Sequence, residues 1–246
     1  MARLTQREIG KLQCFEYSSE QPPKLLVILC HGFGAPGEDL VPLGGYLLRE
    51  YPQLQKAVQF VFPAAPLDLA PAGMPGGRAW WMLDMLKLQR AVELGEFRDL
   101  RREIPEGLSQ AREMLLEAIC VLLDETGLDW SQVVLGGFSQ GSMLATEVAL
   151  HAPEQPAGLV VWSGTLLAEE QWRGLMSQRS GMPVFQSHGI VDSILPFEAA
   201  KWLRDLFIES GCATQFVEFH DGHTIPPEAI AGAGKLIRNS LEMSAG

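Results

Sequence analysis

The sequence predicts an α/β fold, a mostly parallel twisted sheet with helices on both faces. Three observations predict it. Short apolar runs such as Leu25-Leu26-Val27-Ile28-Leu29-Cys30 have the length and composition of strands buried on both sides. Stretches of helical period alternate with these runs, a pattern that calls for parallel strands joined by right-handed crossovers. Finally, Gly137-Phe138-Ser139-Gln140-Gly141 joins the run Val133-Val134-Leu135 to the helical stretch Ser142 to Leu150, giving a strand, a sharp turn and a helix in succession.

Length and composition set the frame. At 246 residues with 47% hydrophobic content the chain can bury a sizeable core, and no low-complexity linker divides it, so one domain over residues 1–246 is expected. No apolar run approaches bilayer length. The start, Met1-Ala2-Arg3-Leu4-Thr5-Gln6-Arg7-Glu8, leads into no apolar segment of signal-peptide length. A cytoplasmic protein with no integral membrane association is the expectation. Cys14, Cys30, Cys120 and Cys212 are scattered, with no C-x-x-C spacing and no His pair beside them. Two disulfides are formally possible, but free thiols are the expected state and a metal site has no support. The net charge of −11 argues against nucleic acid as a partner, which needs a basic patch. Arg98, Arg101 and Arg102 are interleaved with Glu96, Asp99 and Glu103, a solvated helix face.

In chain order, Lys11 to Tyr17 alternates with period two and reads as an early antiparallel or edge strand. Leu25 to Cys30 is a central strand running into His31-Gly32-Phe33-Gly34, where open α/β sheets place ligands. Leu40 to Tyr51 reads as a helix and Val58 to Phe62 as a strand, each stopped by proline. Residues 64–107 form an excursion, rich in proline and glycine at first, which would arch over the mouth of a site. Within it Trp80 and Trp81 admit two readings: lining of a substrate pocket, or packing in the core. Ser109 to Leu123 is helical in period, and Gly158 to Gly164 and Pro183 to Gly189 read as strands. Phe197 to Ile208 is amphipathic, and Thr214 to Phe219 is the last strand.

The chemistry enters at Ser139. A serine at a strained apex between strand and helix projects its hydroxyl from the top of a sheet, and small flanking residues let the two elements pass closely. The start of the following helix points amides and a positive dipole end at the serine, which suits an oxyanion. Gln140 N–H, next after the nucleophile, and Phe33 N–H, in the glycine-bearing loop facing it, are the candidate oxyanion-hole donors. His31 reads as a brace of that loop. Asp192 follows the strand Pro183 to Gly189, and His223 follows the strand Thr214 to Phe219, so Ser139, Asp192 and His223 come in the order a nucleophile elbow requires. His220 reads as the last residue of its strand, Asp205 as solvated, and Asp221 as too near in sequence to orient His223.

Taken together, His31-Gly32-Phe33-Gly34, Arg78-Ala79-Trp80-Trp81, Gly136 to Gly141, Pro183-Val184 with His188-Gly189-Ile190-Val191-Asp192 and Pro196, and Gly222-His223-Thr224-Ile225 resemble the phospholipase/carboxylesterase family of small α/β-hydrolases, which includes the acyl-protein thioesterases. The resemblance covers about residue 25 to 240. It implies an α/β-hydrolase fold with Ser139 as nucleophile, His223 as base, Asp192 as its orienting acid, Phe33 and Gln140 as oxyanion donors, and no cofactor. It also implies a small-molecule or lipid ester as substrate: short to medium acyl esters, with thioester-linked acyl groups on proteins or lysophospholipids as the alternative. A non-catalytic binding protein on the same fold is the remaining reading, opposed by the complete Ser, Asp and His set. The chain departs from the family pattern where Ala35-Pro36-Gly37-Glu38 precede Asp39 and where Met82-Leu83 separate Trp81 from Asp84. Both departures lie beside the expected mouth. Oligomeric state is not fixed by the sequence.

Overall fold

The computed structural model describes residues 2–19, 21–83 and 101–244. Its ten described strands are β1 (Arg3–Ile9), β2 (Leu12–Ser18), β3 (Leu25–Cys30), β4 (Val58–Pro63), β5 (Leu67–Asp68), β6 (Arg78–Ala79), β7 (Val133–Phe138), β8 (Gly158–Trp162), β9 (Pro183–Gly189) and β10 (Ala213–Phe219). The described α-helices are α1 (Val41–Glu50), α2 (Leu108–Thr126), α3 (Gln140–His151), α4 (Glu169–Met176), α5 (Phe197–Glu209) and α6 (Pro227–Met243). Eight strands make one sheet in the order β1-β2-β4-β3-β7-β8-β9-β10, and β5 with β6 makes a small antiparallel ribbon. From β4 to β10 every neighbouring pair is parallel, while β1 and β2 are antiparallel additions at one edge.

The apolar runs are strands because both sheet faces are covered. Leu26, Ile28 and Cys30 of β3 face the core shared with α2, α3, α4 and α5, whereas Leu25, Val27 and Leu29 face the core shared with α1 and α6. The same alternation divides Leu159 and Val161 of β8 from Val160 and Trp162. Period two thus survives inside runs that look uniformly apolar. Each fully buried Leu, Ile or Val contributes about 2 kcal/mol as an upper estimate.

One strand goes beyond the sequence expectation. Arg3–Ile9 pairs antiparallel with β2, Ile9 opposite Leu12, around a two-residue turn in which Gly10 has φ 57°. Of its side chains only Ile9 is buried, so the stretch carries little apolar signal. Arg7 fixes it in place, donating to Glu16 on β2 at 2.6 Å and to Glu125 on α2 at 2.6 and 2.8 Å. The Gln59 amide donates to the same Glu16 at 2.7 Å, which satisfies a carboxylate buried in the sheet. The last strand ends at Phe219, one residue before His220, which is exposed. Of the 64–107 excursion, residues 84–100 lie outside the described residues.

Candidate active site

The parallel strands bring their C-terminal ends to one edge of the sheet, and the residues singled out by sequence gather there. Ser139 is the link between β7 and α3 and has φ 52°, ψ −122°, a conformation that costs a non-glycine residue about 1–3 kcal/mol. The surroundings hold it there. Its N–H donates to Trp162 O at 2.9 Å, and its carbonyl accepts from Ser142 N at 3.0 Å, Met143 N at 3.2 Å and Ser142 Oγ at 2.7 Å. Close passage of strand and helix is enforced by glycine: a Cβ on Gly137 would run into Cys30 O and Gly141, and one on Gly141 into Cys30 O and His31 O. Burial pushes the Cys30 thiol well up, so this neighbour of the turn is an inert packing group.

The facing loop abuts the serine. A Cβ on Gly32 would stand 3.3 Å from Ser139 Cβ. The Phe33 amide beyond it and the Gln140 amide at the first turn of α3 donate to no acceptor among the described residues. His31 is the brace of this loop: its Nδ1 lies 2.8 Å from Gly32 O, and its Nε2 accepts from Ala65 N at 3.0 Å. That pattern requires the neutral Nδ1–H tautomer, and burial lowers the histidine's proton affinity, only partly opposed by the bond to Gly32.

Asp192 and His223 are brought together from the ends of β9 and β10. His223 Nδ1 lies 2.6 Å from Asp192 Oδ2, while Asp192 Oδ1 accepts from Ile194 N and Leu195 N, both at 2.9 Å. Burial works to raise the Asp192 carboxyl, but hydrogen bonds from His188 and His223, the charge of His223 and the Leu195 amide outweigh it and hold the group well below the usual carboxylate range. No hydrogen bond joins Ser139 to His223 among the described residues. Phe138, next to the serine, packs at a tilt of 44° against the His223 ring with centroids 4.7 Å apart. Ser163, at the end of β8 with φ 50°, donates from its backbone to Ser187 O at 2.9 Å and from Oγ to Thr224 O at 3.3 Å, tying the His223 loop to two strand ends.

Trp80 and Trp81 are buried, 2% and 1% exposed, and belong to the core cluster shared with α2, α3, α4 and α5. Their backbone is gripped by the Gln140 side chain, whose Oε1 accepts from Trp80 N at 3.0 Å and whose Nε2 donates to Trp81 O at 2.9 Å. Trp80 Nε1 in turn donates to His31 O at 2.9 Å, and the two stretches around Gly34 and Arg78 are tied by Gly34 N to Arg78 O at 2.9 Å and Arg78 N to Ala35 O at 3.1 Å. Sequence reasoning missed this clamp and also His188, whose buried ring reaches Asp192. The signals for His188 were its place four residues before the aspartate at a strand end and its inclusion in the block His188-Gly189-Ile190-Val191-Asp192. Asp205 is paired with neighbouring Arg204 at 2.7 Å, away from this group.

Beneath the elbow, α3 is buried along its length. Glu147 accepts from Arg112 Nη1 at 2.8 Å and Trp172 Nε1 at 2.6 Å, and Arg179 donates to Leu150 O at 3.1 Å and to Ala152 O beyond the helix end. Among the described residues no helix is long and apolar enough to cross a membrane.

Comparison with known proteins places this geometry among relatives. The sequence profile described as phospholipase/carboxylesterase matches residues 14–241. Acyl-protein thioesterase 1 of Eremothecium gossypii is 29% identical over 231 residues, 90% of each chain. Acyl-protein thioesterase 1 of Saccharomyces cerevisiae is 26% identical over 231 residues, 90% of this chain and 95% of its own. The solved structure of esterase PE8 superposes with a TM-score of 0.76 at 28% identity, covering 96% of this chain and 99% of that one. With the profile spanning residues 14–241, the chain belongs to the phospholipase/carboxylesterase family of α/β-hydrolases.

Proposed function

We propose that the protein is a serine hydrolase that cleaves carboxylic esters of short to medium acyl chains through an acyl-enzyme on Ser139. The observation that carries this reading is the 2.6 Å pairing of His223 Nδ1 with Asp192 at the sheet edge where Ser139 is held in its strained turn. With Nδ1–H given to Asp192, the Nε2 lone pair of His223 is left to take a proton. Ser139 Oγ attacks the ester carbonyl carbon as His223 Nε2 removes its proton, and the carbonyl π pair moves to oxygen, where the Phe33 and Gln140 amides receive it. Collapse breaks the bond to the alcohol oxygen, which leaves with the proton from His223. Water then repeats the sequence on the acyl-enzyme. Trp80 and Trp81 act as supports of the oxyanion loop rather than as the walls of an open pocket. The four thiols, free in the structure, support a reducing, cytoplasmic setting.

A second reading is hydrolysis of acyl thioesters on proteins or of lysophospholipids. It is supported by the names of the two thioesterase relatives and by Val191 and Ile194, which flank Asp192 and are 62% and 43% exposed. Hydrolysis of p-nitrophenyl esters from acetyl to palmitoyl tests both. Ser139→Ala is expected to lower kcat by about 10⁴-fold or more. Activity peaking at short chains upholds the ester reading, a peak at long chains promotes the second, and near-normal turnover without Ser139 removes both.

A further inference from the structure

His188 is fully buried on β9, and the reaction written above does not use it. Its Nε2 lies 2.7 Å from Leu195 O and 3.3 Å from Asp192 Oδ2, so one N–H is shared between the loop that presents Asp192 and the carboxylate itself. Its Nδ1 has no partner among the described residues. The Nε2–H tautomer follows from this: a bare Nε2 would set a lone pair against a carbonyl and a carboxylate, both acceptors.

We infer that His188 is a positioning residue for the reaction, a second imidazole that shares the Asp192 charge and fixes which carboxylate oxygen His223 meets. The inference rests on the Ser139, Asp192 and His223 reading and deepens it. Asp192 Oδ1 is filled by two loop amides, and Oδ2 is divided between His223 at 2.6 Å and His188 at 3.3 Å. Through Leu195, His188 also holds the loop that supplies one of those amides, so both oxygens depend on it. Without the second donor, the carboxylate charge falls on His223 alone. The Asp192–His223 pair then takes up its proton at higher pH, and the base is lost earlier on the acid side.

Other charged groups around His188 are otherwise engaged. Glu218, its register neighbour on β10, is exposed. Glu198 and Lys201 of α5 pair with each other at 2.5 Å, Lys201 lies over the Phe197 ring that packs on His188, and Asp221 turns its carboxylate to Gly222 N at 2.7 Å. His220 is exposed beyond the strand. Asp192 is thus the one charged group within hydrogen-bonding reach of His188 among the described residues.

The test compares His188→Phe, which fills the space without a donor, with His188→Gln, whose amide replaces the Nε2–H. For p-nitrophenyl butyrate, His188→Phe is expected to lower kcat about tenfold with KM little changed. Its acid limb of kcat/KM should move to higher pH, and His188→Gln should recover most of both effects. An unshifted limb in His188→Phe, or equal displacement in the two variants, overturns the inference. Where His188→Phe does not fold, the unaltered protein decides. Nitrogen-15 spectra of the histidine-labelled chain should show His188 as the Nε2–H tautomer, its signal following the titration of His223. A bare Nε2 overturns the inference, whatever the fate of Ser139→Ala, which speaks to the underlying reading alone.

Discussion

Four donors converge on the Asp192 side chain, two backbone amides on one oxygen and two imidazoles on the other. A residue so enclosed can lose its charge without losing its shape. In Asp192→Asn the amide oxygen can still accept from the loop, while the amide nitrogen faces His223 and favours the wrong tautomer. Folding is expected to persist, with the melting temperature at pH 7 lowered by the loss of the stabilised carboxylate, while kcat falls by about 10⁴-fold. Circular dichroism melts beside steady-state rates check both halves, and an undiminished kcat would move the acid elsewhere. The positions of Asp192 and His223 beyond successive strands were legible because strands and loops announce themselves by periodicity and turn residues. That His188 reaches the same carboxylate was not. Its contact is made by strand register and side-chain direction, neither of which a pattern of residue types records.

At the scale of elements, the turn between β7 and α3 shows why some of the fold is written plainly and some is not. Gly137 and Gly141 are visible signals because backbone of β3 and its following loop occupies the space where side chains would go. Gly141→Ala must displace main chain. It is expected to cost about 2 kcal/mol or more and about 5 °C in melting temperature, with Ser139-dependent turnover falling alongside. Gly174 in α4 is the counterexample, exposed and with nothing within 4 Å of the place an added methyl group would take. There Ala should raise stability by about 0.5–1 kcal/mol through helix propensity, leaving kcat unchanged. Thermal melts of the two variants should therefore move in opposite directions. By contrast β1 escaped the sequence reading, since its exposed, polar side chains look like an unstructured start and only pairing with β2 makes it a strand. The Gln140 clamp escaped for another reason: a glutamine after the candidate nucleophile Ser139 was read for its amide, and its side chain finds partners 60 residues away.

Across the whole molecule, two buried groups make folding depend on pH in the same direction. His31 is held neutral, its proton affinity lowered by burial, so the unfolded chain binds the extra proton as pH falls below about 6.5. Its contribution to stability is complete above that value and declines as pH falls towards the lower folded value. Asp192 is held ionised, so its contribution is complete above about pH 4 and is lost as pH falls further. Melting temperature should decline in two stages on acidification. In His31→Gln the first stage should shrink, so the gap to the unaltered protein narrows between pH 7 and pH 5. A constant gap in calorimetry over that range would show that His31 does not carry the first stage.

The grip of Gln140 on Trp80 and Trp81 has a consequence for how such an enzyme can change over generations or in the laboratory. Gln140, whose backbone amide is proposed to receive the reacting oxygen, also gives its side chain to the backbone of Trp80 and Trp81, the stretch that follows the β5–β6 ribbon. Under the proposed reaction, altering Arg78 to Trp81 should disturb turnover for every substrate at once, whereas Met82 and Leu83 make no hydrogen bond to the Gln140 side chain among the described residues. A library meant to broaden substrate range should therefore leave Gln140 and the Trp80-Trp81 backbone it holds untouched.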